Sequence, residues 1–154
     1  MDLGIAGRVA LVTAASSGLG RAIALALAAE GVHTAVTGRD EERLEATVAA
    51  CAEHGVRAMS VVWDLTEHGR AVEVAGRVAA ELGPVDILVN NTGGPPPTPV
   101  LGQDTALWKD MYEAMVLPVI RLTDAVVGGM RERGWGRIIT STSSGPIAPI
   151  PNLG

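Results

Sequence analysis

Short apolar runs alternate with segments of helical periodicity along this chain, and that alternation constrains its fold more than any other feature. Val9-Ala10-Leu11-Val12-Thr13 leads into a small, glycine-containing stretch from Ala14 to Gly20, and Arg21 to Glu30 then carries Ile23 and Leu27 at helical spacing. Thr34 to Thr37 is a second β-rich run closing at Gly38-Arg39. Asp40 is placed to cap the next helix, with Glu41 and Glu42 in the turn where the dipole favours anions and Gly55 at its end. Ala58 to Trp63 reads as a third strand. Thr66 is expected to cap a third helix bearing Val74, Val78 and Leu82, which Gly83-Pro84 stops before a fourth strand, Asp86 to Asn90. A Gly/Pro-rich loop, Gly93 to Pro99, precedes a long helical stretch from Thr105 to Arg133 with an expected kink at Pro118, and Arg137 to Ser141 makes a fifth strand.

Most of these strands are too apolar to keep a solvated face, which predicts parallel strands covered on both sides by right-handed crossovers, an α/β fold. With 154 residues the chain suits one domain and can bury a core. That domain is read as residues 1–144. Prolines at 146, 149 and 151 forbid a helix in 145–154, which reads as a Pro-rich loop. A composition 47% apolar and 19% charged excludes disorder, and no apolar run approaches the ~18 residues of a membrane span. The net charge of −5 has the wrong sign for gripping nucleic acid. Met1-Asp2-Leu3-Gly4 shows no secretory pattern and the single Cys51 cannot form an internal disulfide, so a cytoplasmic location and no membrane partner are expected.

A strand that feeds a glycine-rich turn and a helix N-terminus suits an anion, because unpaired N–H groups point outward beside the positive end of the dipole. Thr13-Ala14-Ala15-Ser16-Ser17-Gly18-Leu19-Gly20 keeps only the late glycines of the G-x-G-x-x-G pattern, and the alternative use of such a turn is close helix–strand packing. At the end of the second strand dinucleotide folds place an acid for ribose or an arginine for a 2′-phosphate. Here it is Arg39, whose guanidinium favours NADP(H), while the neighbouring Asp40 keeps NAD(H) possible; the other reading of Arg39 is a solvated turn residue.

Taken together these segments resemble the short-chain dehydrogenase/reductase family, in particular its 3-oxoacyl-(acyl-carrier-protein) reductase-like branch, over Gly7 to Ser144. The first turn is similar to that family's TGxxxGxG motif with Ala14 for its first glycine. Asp64-Leu65 resembles its adenine-contacting pair, and Asn90-Asn91-Thr92-Gly93 its NNAG motif with Thr92 for alanine. The resemblance implies a Rossmann-type doubly wound sheet of order 3-2-1-4-5. It implies cofactor contacts from Thr13, Ser16, Ser17, Gly18, Leu19 and Gly20 along the pyrophosphate, Arg39 at the 2′-phosphate, Asp64 and Leu65 at the adenine, and Asn91, Thr92 and Gly93 near the ribose. It also implies hydride transfer between nicotinamide and a small carbonyl or alcohol, with a homo-oligomer expected at full length.

The same family uses a tyrosine as acid/base, a lysine that lowers its pKa, a serine on the substrate oxygen and an asparagine supporting a water. A phenol with pKa near ~10 needs such a cation to work at neutral pH. Alignment on the fifth strand puts the serine at Ser143, with Ser141 and Ser144 as rivals; a strand-end serine bonding local backbone is the other reading. The asparagine position holds Met115, which cannot donate a hydrogen bond. The Tyr-x-x-x-Lys pair is expected a few residues past Gly154, so the C-terminal part of the family fold is expected to be missing and the 154 residues inactive alone. Tyr112 and Lys109, the only residues of their types, read instead as an exposed helix face. His33, His54 and His68 lack metal-ligand spacing, Cys51 reads as a small core hydrophobe, and Met111, Met115 and Met130 are expected to pack. The proline loop Gly94 to Pro99 and the tail Pro146 to Pro151 could wall an apolar substrate pocket, the other reading being rigid connections. An NADP(H)-dependent oxidoreductase is the favoured reading, and a non-catalytic nucleotide-binding or interaction protein the alternative.

Overall fold

The computed structural model describes residues 2–99, 101–143 and 147. Five parallel strands, β1 (Val9–Val12), β2 (His33–Gly38), β3 (Ala58–Val62), β4 (Ile87–Asn90) and β5 (Arg137–Thr140), form one sheet in the order β3-β2-β1-β4-β5. Helices α1 (Gly18–Ala29), α2 (Glu41–Ala52), α3 (Ala71–Glu81), α4 (Thr105–Met115) and α5 (Leu117–Glu132) connect them. The α/β reading and the 3-2-1-4-5 order are therefore what the chain adopts.

Because side chains alternate across a strand, β1 feeds two cores. Leu11 joins Met59, Trp63, Val74, Val78, Leu88, Leu122 and Met130 on the α3/α5 side. Ala10 and Val12 join Ala24, Ala28, Val36, Leu44, Cys51 and Val89 on the α1/α2 side. All four residues of β1 are buried and all four of β5 are exposed, which marks β5 as the sheet's uncovered edge among the described residues. α1 meets the sheet through Gly20, Ala24 and Ala28, small residues one turn apart. Met130 is buried as expected, whereas Met111 and Met115 are only partly covered.

Three local expectations need correction. Thr66 does not cap α3; its N–H and hydroxyl both bond the Asp64 carboxylate, at 2.9 and 2.8 Å, and a short 3₁₀ turn (His68–Arg70) intervenes before the helix. The Asp64 carboxylate two residues upstream draws the Thr66 N–H and hydroxyl into a local turn of their own, and neither the 3₁₀ turn nor α3 receives a side-chain cap. Pro118 does not kink a continuous helix, because the chain breaks at Val116 and Pro118 occupies the first turn of a new one, where its missing N–H costs nothing. α1 begins at Gly18 rather than Arg21, with Ser17 in extended backbone at its N-cap. The 145–154 loop and Ser144 lie outside the described residues apart from Ile147. Among the described residues no helix is long and apolar enough to cross a membrane.

Candidate functional site

The order β2-β1-β4 reverses the winding direction between β1 and β4, and an open α/β sheet leaves a crevice beyond the strand ends at such a point. A cleft of about 670 Å³ lies there. Its floor is built by a clip between β1 and β4: the Thr13 hydroxyl donates to the Asn91 carbonyl at 2.7 Å and accepts from the Asn91 N–H at 2.9 Å. Thr13 is buried, so it shapes the cleft without lining it. The Asn91 side-chain amide donates back to the Thr13 and Ala14 carbonyls at 3.3 and 3.4 Å, tying the NNTG segment to the first turn.

The turn itself is anion-shaped. Ser17 makes no side-chain cap and α1 has no acidic residue in its first turn, so the positive helix end faces the cleft uncompensated. A Cβ on Gly20 would run into the Ala14 carbonyl oxygen, which leaves glycine as the residue that lets α1 approach the turn. At the end of β2 Gly38 lies against the same turn: a Cβ there would stand 3.4 Å from Ser16 Cβ and Oγ, an ordinary packing distance. These features fit a dinucleotide: bare N–H groups, backbone close enough to approach a pyrophosphate, and a basic group at one end.

That basic group is Arg39, exposed at the cleft wall. The Asp40 carboxylate is committed elsewhere, capping α2 through the Arg43 N–H at 3.0 Å and pairing with the Arg43 guanidinium at 3.2 Å. Asp64, across the cleft after β3, has its carboxyl held below the usual range, chiefly by the Thr66 N–H, with the Thr66 hydroxyl and the Arg39 charge adding to it against partial burial.

Of the residues singled out from sequence, Ser16, Ser17, Leu19, Arg39, Asp64, Leu65, Asn91, Thr92 and Gly93 line one cleft. Thr13, Gly18 and Gly20 are not among its lining residues: Thr13 and Gly20 are buried beneath the turn, and Gly18 is exposed at the start of α1. Ser143 is exposed and is not among the lining residues, whereas its rival Ser141, just past β5, is. Sequence reasoning gave no cleft role to Trp63, Thr66 or Met111; Met111 comes from α4, whose approach to the strand ends no local pattern announces. A second, apolar cavity of about 270 Å³ opens between α4 and the proline loop.

The family model for short chain dehydrogenases matches residues 8–153. An acetoacetyl-CoA reductase of Rhizobium meliloti is 36% identical over 137 residues, 88% of this chain and 55% of that protein. The structure of L-sorbose reductase from Gluconobacter frateurii, complexed with NADPH and L-sorbose, superimposes with a TM-score of 0.91 at 36% identity, over 97% of this chain and 57% of its own. An NAD+-bound xylitol dehydrogenase does so with a TM-score of 0.88 at 31% identity, over 97% and 58%. The chain spans about half the length of the curated relatives it matches. With that family model matched from residue 8 to residue 153, the chain belongs to the short-chain dehydrogenase family.

Proposed function

We propose that residues 1–144 form the dinucleotide-binding domain of an NADP(H)-dependent oxidoreductase acting on a small carbonyl or alcohol, with 145–154 as a connecting loop. Nicotinamide, when bound, supplies or accepts the hydride. This chain's residues bind and orient: the first turn and the α1 N-terminus take up pyrophosphate charge, Asp64 and Leu65 flank the adenine side, and Asn91 to Gly93 form the ribose wall. Ser143 is proposed to hold the substrate oxygen, with Ser141 nearer the cleft as its rival. Tyr112 and Lys109 stand on the exposed face of α4 and do not line the polar cleft. Turnover is therefore expected only from a chain that also carries a tyrosine–lysine pair, and such a protein is proposed to be a cytoplasmic homo-oligomer.

The observation that carries the NADP(H) preference is the division of labour at the end of β2. Arg39 faces the cleft while Asp40, the residue that could serve a ribose hydroxyl instead, is engaged by Arg43. Calorimetric titration of the chain with NADPH and NADH tests it. Arg39→Glu is expected to weaken NADPH about tenfold to a hundredfold, the scale of a lost charge-assisted contact plus repulsion, with little change for NADH. Equal affinities for both cofactors, unchanged in the variant, would overturn the preference.

A further inference from the structure

We infer that the substrate of this site carries an apolar arm, seated in the cavity between α4 and the loop that follows β4; the inference rests on the cofactor reading above. The cavity measures about 270 Å³, too small for a dinucleotide and of a size for one substituent of a small molecule. Its wall on α4 is Leu107, Trp108, Met111, Tyr112 and Met115, with Val116 at the break that follows. Met111 and Met115 line this cavity and the polar cleft alike, so the two spaces share a boundary made of two side chains. An arm in the cavity thus leaves its polar end at the edge of the cleft.

The opposite wall offers little to a hydroxyl-rich chain. Gln103 spends its side-chain N–H groups on the Thr98 hydroxyl and the Pro99 carbonyl, both at 2.8 Å. Leu107, Met111, Met115 and Val116 return no hydrogen bond to a polyol, so over most of the wall it would lose water uncompensated, a cost that an alkyl or aryl arm does not meet. Trp108 and Tyr112 are 62% and 52% exposed, leaving rigid aromatic surface for an apolar ligand to cover. The two methionines are unbranched and polarizable, and suit arms of differing shape.

The test is nuclear magnetic resonance of the 154-residue chain carrying labelled methionine methyls, titrated with 2-alkanones from butanone to decanone and with xylitol, alongside an NADPH titration. Saturable shifts at the Met111 and Met115 methyls are expected, with affinity rising about fourfold per added methylene until the cavity fills, and no response to xylitol. Leu107→Asn is expected to abolish the chain-length slope at unchanged NADPH affinity, which also reports that the variant is folded. Saturable NADPH binding with no length dependence at either methyl would overturn the inference. So would methyl shifts that follow protein concentration instead of ketone, which assign the face to a second copy. A ketone slope without NADPH saturation would overturn the cofactor reading, and with it the assignment of the arm to a substrate.

Discussion

Ala14 carries φ +49°, the one non-glycine residue in the left-handed region among those described, and it stands where the resembling motif has glycine. A Cβ there costs on the order of 1–2 kcal/mol, partly offset by the smaller chain entropy that alanine loses on folding. Ala14→Gly is therefore expected to raise stability by roughly 0.5–1 kcal/mol in urea denaturation. Gly20→Ala should act in the opposite sense, losing at least about 1–3 kcal/mol, because the group it meets is the Ala14 carbonyl, which cannot rotate away. Stability unchanged in both would mean that the turn relaxes freely. Asp64 makes a pH prediction. Its folded pKa is depressed by the Thr66 N–H and hydroxyl, so its contribution is fully present above the unfolded value of ~3.9 and is lost as pH falls through the lower folded value. Asp64→Asn is expected to be less stable than the wild type at neutral pH and to converge with it in acid; a gap that persists in acid would trace the loss to shape and not to charge.

At the scale of elements, β1 through β4 are legible because each is a short apolar run bounded by turn residues, and their order follows once the first turn and the NNTG segment are seen to belong to one pattern. What stayed hidden depends on competition between neighbours. Thr66 has the side chain of a cap, but Asp64 two residues earlier engages its hydroxyl and N–H in a local turn. Pro118 has the form of a kink, but only a chain already broken at Val116 lets it begin a helix. The proline loop announces one wall of the cavity beside α4, which Pro95 and Thr98 line, but the other wall is hidden: the exposure of Trp108 and the shared boundary at Met111 and Met115 arise where the helix meets that loop, and periodicity reports neither. The clip joining β1 to β4 is a prediction at this scale. Thr13→Val keeps the shape but strips the Asn91 N–H and carbonyl of their buried hydroxyl partner, at a cost of about 1–3 kcal/mol. NADPH affinity should fall with it, because the clip sets where Asn91 to Gly93 stand. Lost stability with intact affinity would show that the Asn91 side-chain bonds to Thr13 and Ala14 hold the segment by themselves.

Across the whole molecule, burial is lopsided. β1 is covered on both faces by two separate cores, whereas β5 exposes all of its residues, including Ile138 at 39% and Ile139 at 51%. Those two side chains point to opposite faces of the sheet, so the strand leaves apolar surface on both sides as well as a row of N–H and C=O groups along its outer edge. A parallel strand of this composition is ordinarily covered on both faces. The 154-residue chain is accordingly expected to self-associate as its concentration rises, strand edge to strand edge, in sedimentation velocity. Ile139→Lys should suppress the association while moving the denaturation midpoint little, since an exposed position away from caps and cores is typically worth within about 0.5 kcal/mol. Association through β5 also leaves the Met111 and Met115 methyls undisturbed, because neither strand nor edge residues of β5 line the α4 cavity. If Ile139→Lys associates as strongly as the wild type and those methyls shift with concentration, the contact lies on the Trp108–Tyr112 face of α4, and the same surface cannot then be held open for a ligand.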